Sequence, residues 1–296
     1  MDKIKSGFVT VVGRPNVGKS TFLNKVMGQK ILIESDKPQA TRNRIHCVYT
    51  EERGQVIFVD TPGIHKPHHK LGENLVKHAK DSLNGVDVAI LMVEPDEIIG
   101  SGDHYVARIV SEVEIPVILC INKVDIIKPN KLIPLLVEWN EKYKFAEMIP
   151  ISAKTGENVD KVVDLVFSYL KEGPQYYPAD MITDRPEEFL IGEIIREKVF
   201  NLLYEEIPYS VAVDLRAYEM RNNKIYIAAD IIAERASQKG MIIGKQGSML
   251  KKIGHLARRD IEKFMGYKVF LDLHVRHKSD WRNKQEMLNK LGYTKE

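Results

Sequence analysis

The chain predicts an α/β protein, with a mostly parallel, doubly wound sheet followed by a smaller α+β domain. Three observations carry that expectation. Short apolar runs alternate with helix-like runs over the first 170 or so positions, the pattern of a parallel sheet covered on both faces. A glycine-bracketed turn, Gly13-Arg14-Pro15-Asn16-Val17-Gly18-Lys19-Ser20, joins the first apolar run to the first helix-like run. A proline-marked stretch then ends the alternation, and the order becomes helix, two strands, two helices and a strand.

The first strand is the run Phe8-Val9-Thr10-Val11-Val12, and the first helix starts near Thr21. Further strand-like runs fall at 56–60, 87–94, 116–122 and 147–151, and helix-like runs at 72–83, 103–112, 130–143 and 158–170. Lysine 171 to proline 186 holds Gly173-Pro174, Pro178 and Pro186 among polar residues and reads as a boundary. The expected division is therefore 1–173 for the first domain, 174–186 for a linker and 187–296 for the second domain.

Composition excludes some classes. At 296 residues, with 44% hydrophobic and 29% charged positions, the chain suits two soluble domains. No apolar run approaches the ~20 residues that span a bilayer. The first six residues lack the apolar centre of a signal peptide. Cys47 and Cys120 lie in strand-like runs without metal-ligand spacing and read as reduced core residues, which fits a cytoplasmic protein. Residues 1–173 carry 23 basic and 23 acidic side chains, so the net charge of +3 resides in the remainder. Residues 235–263 alone hold eight basic and two acidic side chains, a stripe suited to an anionic polymer or membrane surface.

A strand, a glycine-bracketed turn and a helix make GxxxxGK[ST] a phosphate cradle. Backbone N–H groups and the positive helix end face one point, where they hold phosphate oxygens. Asn16, Val17, Gly18, Lys19, Ser20 and Thr21 are the candidate contacts, with Lys19 on the β- and γ-phosphates and Ser20 on Mg²⁺. Asp60-Thr61-Pro62-Gly63 follows the strand 56–59, where Asp60 can hold the metal through water and Gly63 lets its N–H approach a γ-phosphate. Asn122-Lys123-Val124-Asp125 ends the next strand but one. Its Asp125 carboxylate can accept the guanine N1–H and exocyclic amine, where adenine would present an acceptor. Ser152-Ala153-Lys154 follows the last strand and fits a loop whose backbone N–H meets the guanine O6.

In this order the four motifs resemble a translation-factor-class GTPase of the Ras-like fold. The resemblance implies a first switch at 33–44, with Thr41 meeting Mg²⁺ and the γ-phosphate, and a second switch at 63–71. Lys19, Thr41 and Gly63 become the candidate catalytic groups, and Ser20, Thr41 and Asp60 the metal set. Many such enzymes place Gln after DxxG to orient water, and here that position is Ile64, so slow unaided turnover is expected. Asn16 resembles the residue that GTPases using K⁺ supply as a ligand. His65, His68 and His69 with Lys66 and Lys70 read as a basic loop rather than a metal site.

In the second domain, a helix over 187–206 precedes alternating strands around 211–215 and 225–231. A helix around 235–243 leads to Gly244-Lys245-Gln246-Gly247 and a longer helix over 248–265. A strand at 268–274 and a helix from about 280 to 291 close the chain. A bare GxxG means little alone, but between two helices in this order it resembles a type II KH domain. The long helix presents Met249, Leu250, Ile253, Leu256, Ala257, Ile261 and Phe264 on one side and Lys251, Lys252, His255, Arg258, Arg259 and Lys263 on the other. Gly244, Lys245, Gln246, Gly247, Lys251, Lys252 and Arg258 are the candidate RNA contacts. Met241, Ile242 and Ile243 suit either a groove for unstacked bases or the core.

A Ras-like GTPase domain followed by one type II KH domain resembles the Era-type family of ribosome-assembly GTPases over nearly the whole chain. That resemblance implies a monomer that binds GTP, GDP and Mg²⁺, with K⁺ as a further ion. It also implies binding near the 3′ end of 16S ribosomal RNA, a role in 30S subunit maturation, and peripheral contact with the inner face of the cell membrane. Ala40 stands where the family commonly has a second Thr. Two alternatives stay open on sequence: an RNA-binding adaptor with a structural nucleotide pocket, and a membrane-surface GTPase whose basic helix meets acidic lipids.

Overall fold

The computed structural model describes residues 4–37, 40–63, 77, 81–96, 98–221 and 223–293. The chain divides into two compact units after Asp184. The first unit is built on β1 (Ile4–Gly13), α1 (Lys19–Val26), β2 (Ile45–Glu51), β3 (Gly54–Asp60), β4 (Val88–Val93), α2 (Ser101–Ser111), β5 (Val117–Ile121), α3 (Pro129–Lys142), β6 (Glu147–Pro150), α4 (Val159–Tyr169) and the short β7 (Glu172–Gly173). Its sheet runs β2-β3-β1-β4-β5-β6, with β7 pairing the start of β1. β3, β1, β4, β5 and β6 are parallel, and β2 is antiparallel on the edge.

The central strands read as continuous apolar runs because helices cover both their faces. Every residue of β4 and of β5 is buried. On one side of the sheet Leu91, Leu119 and Ile121 pack with Val106 and Val110 of α2 and Leu135 and Trp139 of α3. Each such aliphatic side chain contributes about 1.5–3 kcal/mol by leaving water. The helix expected over 72–83 lies almost wholly outside the described residues.

Of the stretch read as a linker, residues 174–184 are held along β2 and β3. Gln55 Oε1 accepts the N–H groups of Tyr176 and Tyr177, both at 2.9 Å, and Val48 N–H donates to Ile182 O at 2.9 Å. Asp184 Oδ1 accepts His46 N–H at 3.0 Å. A buried glutamine amide in a strand supplies the hydrogen bonds that a neighbouring strand would otherwise give.

The second unit comprises α5 (Glu187–Leu202), β8 (Val211–Arg221), β9 (Lys224–Ala233), α6 (Ala236–Ile243), α7 (Ser248–Met265), β10 (Val269–His277) and α8 (Gln285–Lys290). Its sheet order is β10-β9-β8, with β10 parallel and β8 antiparallel to the central strand. Strand alternation sends one set of β9 residues to the helices. Ile225, Ile227, Ala229 and Ile231 enter the core with Ile191, Ile195 and Val199 of α5 and Ile253, Ala257 and Ile261 of α7. The helix expected over 280–291 is broken in two, because Lys284 is extended (φ −94°, ψ 113°) between a single turn at Trp281–Asn283 and α8. Trp281 is fully buried and its indole N–H donates to Ser210 O at 2.8 Å, which anchors the turn inside the domain. Among the described residues no helix is long and apolar enough to cross a membrane.

Candidate nucleotide site and nucleic-acid interface

Parallel strands deliver their carboxyl ends to one edge of a sheet, and ligands bind there. The turn after β1 leads directly into α1, so the N–H groups that open the helix face the site. Lys19 is buried, and its ammonium donates to Arg14 O at 2.9 Å and reaches Gly13 O at 3.4 Å, bridging the loop from inside. Burial lowers its pKa to about 8, partly offset by the nearby Asp60 charge. An incoming polyphosphate supplies the missing counter-charge.

Three oxygens converge beside it. Ser20 Oγ lies 3.2 Å from Thr41 Oγ1, which donates to Asp60 Oδ2 at 3.2 Å. A hydroxyl, a second hydroxyl and a carboxylate from the helix start, the 33–44 segment and the end of β3 form a hard-oxygen set that suits Mg²⁺ with several waters retained. Among the described residues no group of three or more His, Cys, Asp or Glu side chains is placed to hold a metal ion.

Gly63 shows why this position lacks a side chain. A Cβ there would sit 2.6 Å from Pro15 N and 2.7 Å from its Cα, so the backbone after β3 lies against the phosphate loop. Thr61 is fully buried and its hydroxyl donates to Val11 O at 2.8 Å. Its side chain is therefore a brace for the sheet and not a nucleotide contact, which leaves only the backbone of Thr61 and Pro62 toward the site. Thr21 Oγ1 donates to Glu34 Oε2 at 3.2 Å, and Asn16 donates its side-chain amide to Asp36 O.

The base-facing side is tied to the phosphate loop by one residue. Asn122 is 2% exposed, so its amide must be satisfied inside the protein. It donates to Val17 O and accepts from Ala153 N–H, both at 2.8 Å. Ser152 Oγ donates to Asp125 Oδ1 at 2.7 Å and accepts Thr155 N–H at 3.2 Å, which orients the carboxylate. Asp125 and Lys154 are exposed, open to a base. Lys123 pairs with Glu94.

Two features escaped the sequence reading. Arg14 of the phosphate loop donates to Asp103 Oδ1 at 2.7 Å and to Asp96 Oδ2 at 2.9 Å, clamping the loop to the start of α2. The buried Asn24 accepts the N–H groups of Ile31 and Leu32 at 2.9 Å each and donates to Glu34 Oε1 at 2.6 Å, fixing the entry to the 33–44 segment. Both depend on partners far along the chain or in irregular backbone, which periodicity does not reveal. Ile64, His65, Lys66, His68, His69 and Lys70 lie outside the described residues.

In the second unit, Gly244 (φ 73°, ψ 173°) ends α6, and Lys245–Gly247 form a single turn before α7. A Cβ on Gly244 would meet Met249 N at 2.9 Å, so the loop folds tightly on the next helix. Lys245 and Gln246 are exposed, as are Lys251, Lys252, His255, Arg258, Arg259 and Lys263 of α7. The opposite face of α7 buries Ile253, Ala257 and Ile261, while Leu256 and Phe264 are only half-buried.

A groove of about 450 Å³ opens between this loop and β10. Gly247, Leu250, Lys251, Gly254 and Arg258 line one wall, and Phe270, Leu271 and Leu273 the other. Ile242 is fully buried in the core and Met241 is exposed, and none of residues 241–243 lines this groove. Of the two alternatives for this segment Ile242 takes the core, and the apolar walls of the groove come from α7 and β10.

Together these features define a phosphate-loop GTPase domain joined to a KH domain. Residues 8–123 match the family described as 50S ribosome-binding GTPase, and residues 206–282 match the KH domain family. Among solved structures, a point variant of Era from Aquifex aeolicus bound to GDP·AlF4⁻ is 39% identical, with a TM-score of 0.96 over 99% of this chain and 100% of that one. Era in complex with MgGDPNP and nucleotides 1506–1542 of 16S ribosomal RNA is 40% identical, with the same TM-score and coverage. The chain belongs to the Era family of GTPases.

Proposed function

We propose that this chain is a GTP-hydrolysing switch that binds small-subunit ribosomal RNA near its 3′ end and acts in maturation of the 30S subunit. The observation that carries the reading is the coexistence of a phosphate-loop site and a GxxG groove in a chain whose relative, matched along 99% of this sequence, binds MgGDPNP and 16S nucleotides 1506–1542. Asn16, Val17, Gly18, Lys19 and Ser20 cradle the phosphates, with Thr21 at the helix start. Asn122 braces the base pocket, Asp125 reads the guanine edge, Lys123 lies along the base face, and the 152–154 loop meets O6. Ser20, Thr41 and Asp60 hold Mg²⁺, which when bound neutralises charge developing on the β- and γ-phosphates.

The chain's own part in hydrolysis is electrostatic and positional. Lys19 holds the γ-phosphate charge, and the backbone N–H of Gly63 approaches the same phosphate across the Pro15 turn. Ile64 offers no hydrogen bond to water, so attack is slow until backbone groups, a monovalent cation or a partner place the nucleophile. Asn16 is the candidate ligand for K⁺. Gly244, Lys245, Gln246, Gly247, Lys251, Lys252 and Arg258 hold the RNA backbone. GTP and RNA then influence one another reciprocally, as linkage requires. We place the protein in the cytoplasm as a monomer, with peripheral membrane contact a subordinate part of the proposal.

Single-turnover GTP hydrolysis with Mg²⁺, in K⁺ and in Na⁺, with and without the 3′ end of 16S RNA, tests this. Hydrolysis quickened by the RNA supports the switch, and a K⁺ preference lost in Asn16→Ala assigns that residue its ion. Tight RNA binding that leaves hydrolysis unchanged would reduce the protein to an adaptor with a separate nucleotide domain.

A further inference from the structure

The face of the KH sheet opposite α5 and α7 carries a row of three flat groups. Tyr226 of β9 and Phe270 of β10 are cross-strand partners, with ring centroids 5.7 Å apart and planes 12° from parallel. The Arg221 guanidinium lies 4.0 Å from the Tyr226 centroid. Both inner members are held from outside the row. Arg221 pairs with Glu219, and the Tyr226 hydroxyl donates to Asp272 Oδ2 at 3.5 Å. Phe270 is 59% exposed, on an edge strand, and it also borders the groove beside the GxxG loop.

A single exposed aromatic ring is ordinary on a protein surface. This one differs in being stacked, backed and placed. One face of its ring rests on Tyr226, which reduces the rotamer freedom left to be lost on binding. Lys251 and Arg258 line the other wall of the same groove and can follow a phosphate backbone while a base turns toward the ring. A benzyl ring offers a π-face and no hydrogen bond, which selects for stacking area rather than base identity.

We propose that Phe270, backed by Tyr226 and Arg221, is a stacking platform for an unpaired base of the RNA that occupies the GxxG groove, with purines preferred over pyrimidines. The proposal rests on the RNA-binding reading above. It adds to it a residue outside the GxxG loop and the basic helix face, and a base preference at one position of the bound strand.

The test uses the full-length protein and a short single-stranded copy of the 16S 3′ terminus, with the fluorescent adenine analogue 2-aminopurine placed at each position in turn. Wild-type protein is expected to quench one position strongly. Phe270→Leu should restore that emission and weaken binding about tenfold, the scale of one base–aromatic stack. Phe270→Trp should keep the affinity and show its own tryptophan emission quenched by the RNA. Equal quenching and affinity in Phe270→Leu and wild type, with binding lost in Gly247→Asp, would overturn the platform and leave the RNA reading standing. Phe270→Trp emission indifferent to bound RNA would overturn it independently. Failure of wild-type protein to bind the RNA at all would overturn the RNA reading itself.

Discussion

The two halves of this chain hold their charges in opposite ways. In the GTPase half the groups around the phosphate loop and the asparagine that braces the base loops are desolvated, while Asp125 stays exposed. Lys19, Asp60 and Asn122 are all buried, and Lys19 bridges backbone carbonyls of the loop it serves. In the KH half the cations of α7 and the GxxG loop stand in water, beside a groove whose far wall is apolar, formed by Phe270, Leu271 and Leu273. Buried, oriented groups discriminate sharply, because a wrong ligand leaves one of them unpaired. Exposed cations attract any phosphate backbone and are weakened by salt. One chain thus combines a selective site for a small ligand with a more tolerant surface for a polymer.

The comparison is tested most severely at Asn122. Replacing it with Ala strands the Val17 carbonyl and the Ala153 N–H and disconnects the base loops from the phosphate loop. GDP affinity is expected to fall about 100-fold, at about 1–3 kcal/mol per buried group left unsatisfied, as read by calorimetry. An affinity within threefold of wild type would show that the loops are preorganised without this bridge.

The next effects are roughly tenfold. Gly63→Ala places a methyl against Pro15, so GTP affinity should fall about tenfold relative to GDP, since only the triphosphate needs that approach. Charge reversal at Lys251 or Arg258 should weaken RNA binding about tenfold and reduce the slope of log affinity against log salt by about one per cation removed. An unchanged salt slope would take these residues off the RNA path.

The smallest effect is a pH dependence confined to the buried site. With the Lys19 pKa lowered to about 8 by burial, raising pH from 7 to 8.5 deprotonates most of it in the free protein. A bound polyphosphate restores the proton, so GDP affinity should weaken about fourfold over that interval. Binding at pH 8 should take up close to half a proton, read by calorimetry in buffers of different ionisation enthalpy. The free protein responds in the opposite sense. A Lys whose pKa is lower folded than unfolded destabilises the fold while charged, so unliganded stability should rise as pH passes from 8 toward the ordinary Lys value.

The four ordered motifs and the GxxG were legible because each depends on local chemistry: a turn that needs glycine, a helix start that needs a phosphate ligand, a carboxylate after a strand. Helix α7 was legible in outline from its two stripes. Its apolar wall for RNA was not, since the groove is completed by β10, and strand alternation does not say which helix will cover a face. The final helix failed for a related reason. Spacing of Trp281, Leu288 and Leu291 fits one continuous helix, but the indole of Trp281 is drawn inward by Ser210 and the chain is extended at Lys284.

By itself the sequence determined the class of protein, the order of its motifs and the order of the two domains, because those are properties of short segments with fixed backbone demands. Tertiary structure alone decided which distant groups support them. Asn122 reaches across 105 positions to Val17, Arg14 across 89 to Asp103, and Gln55 across more than 120 to the chain after β7. Tyr226 meets Phe270 only because β10 returns parallel beside β9. A hydrogen bond or a ring stack needs two partners at contact distance, and for residues so far apart in the chain only the completed fold supplies that distance.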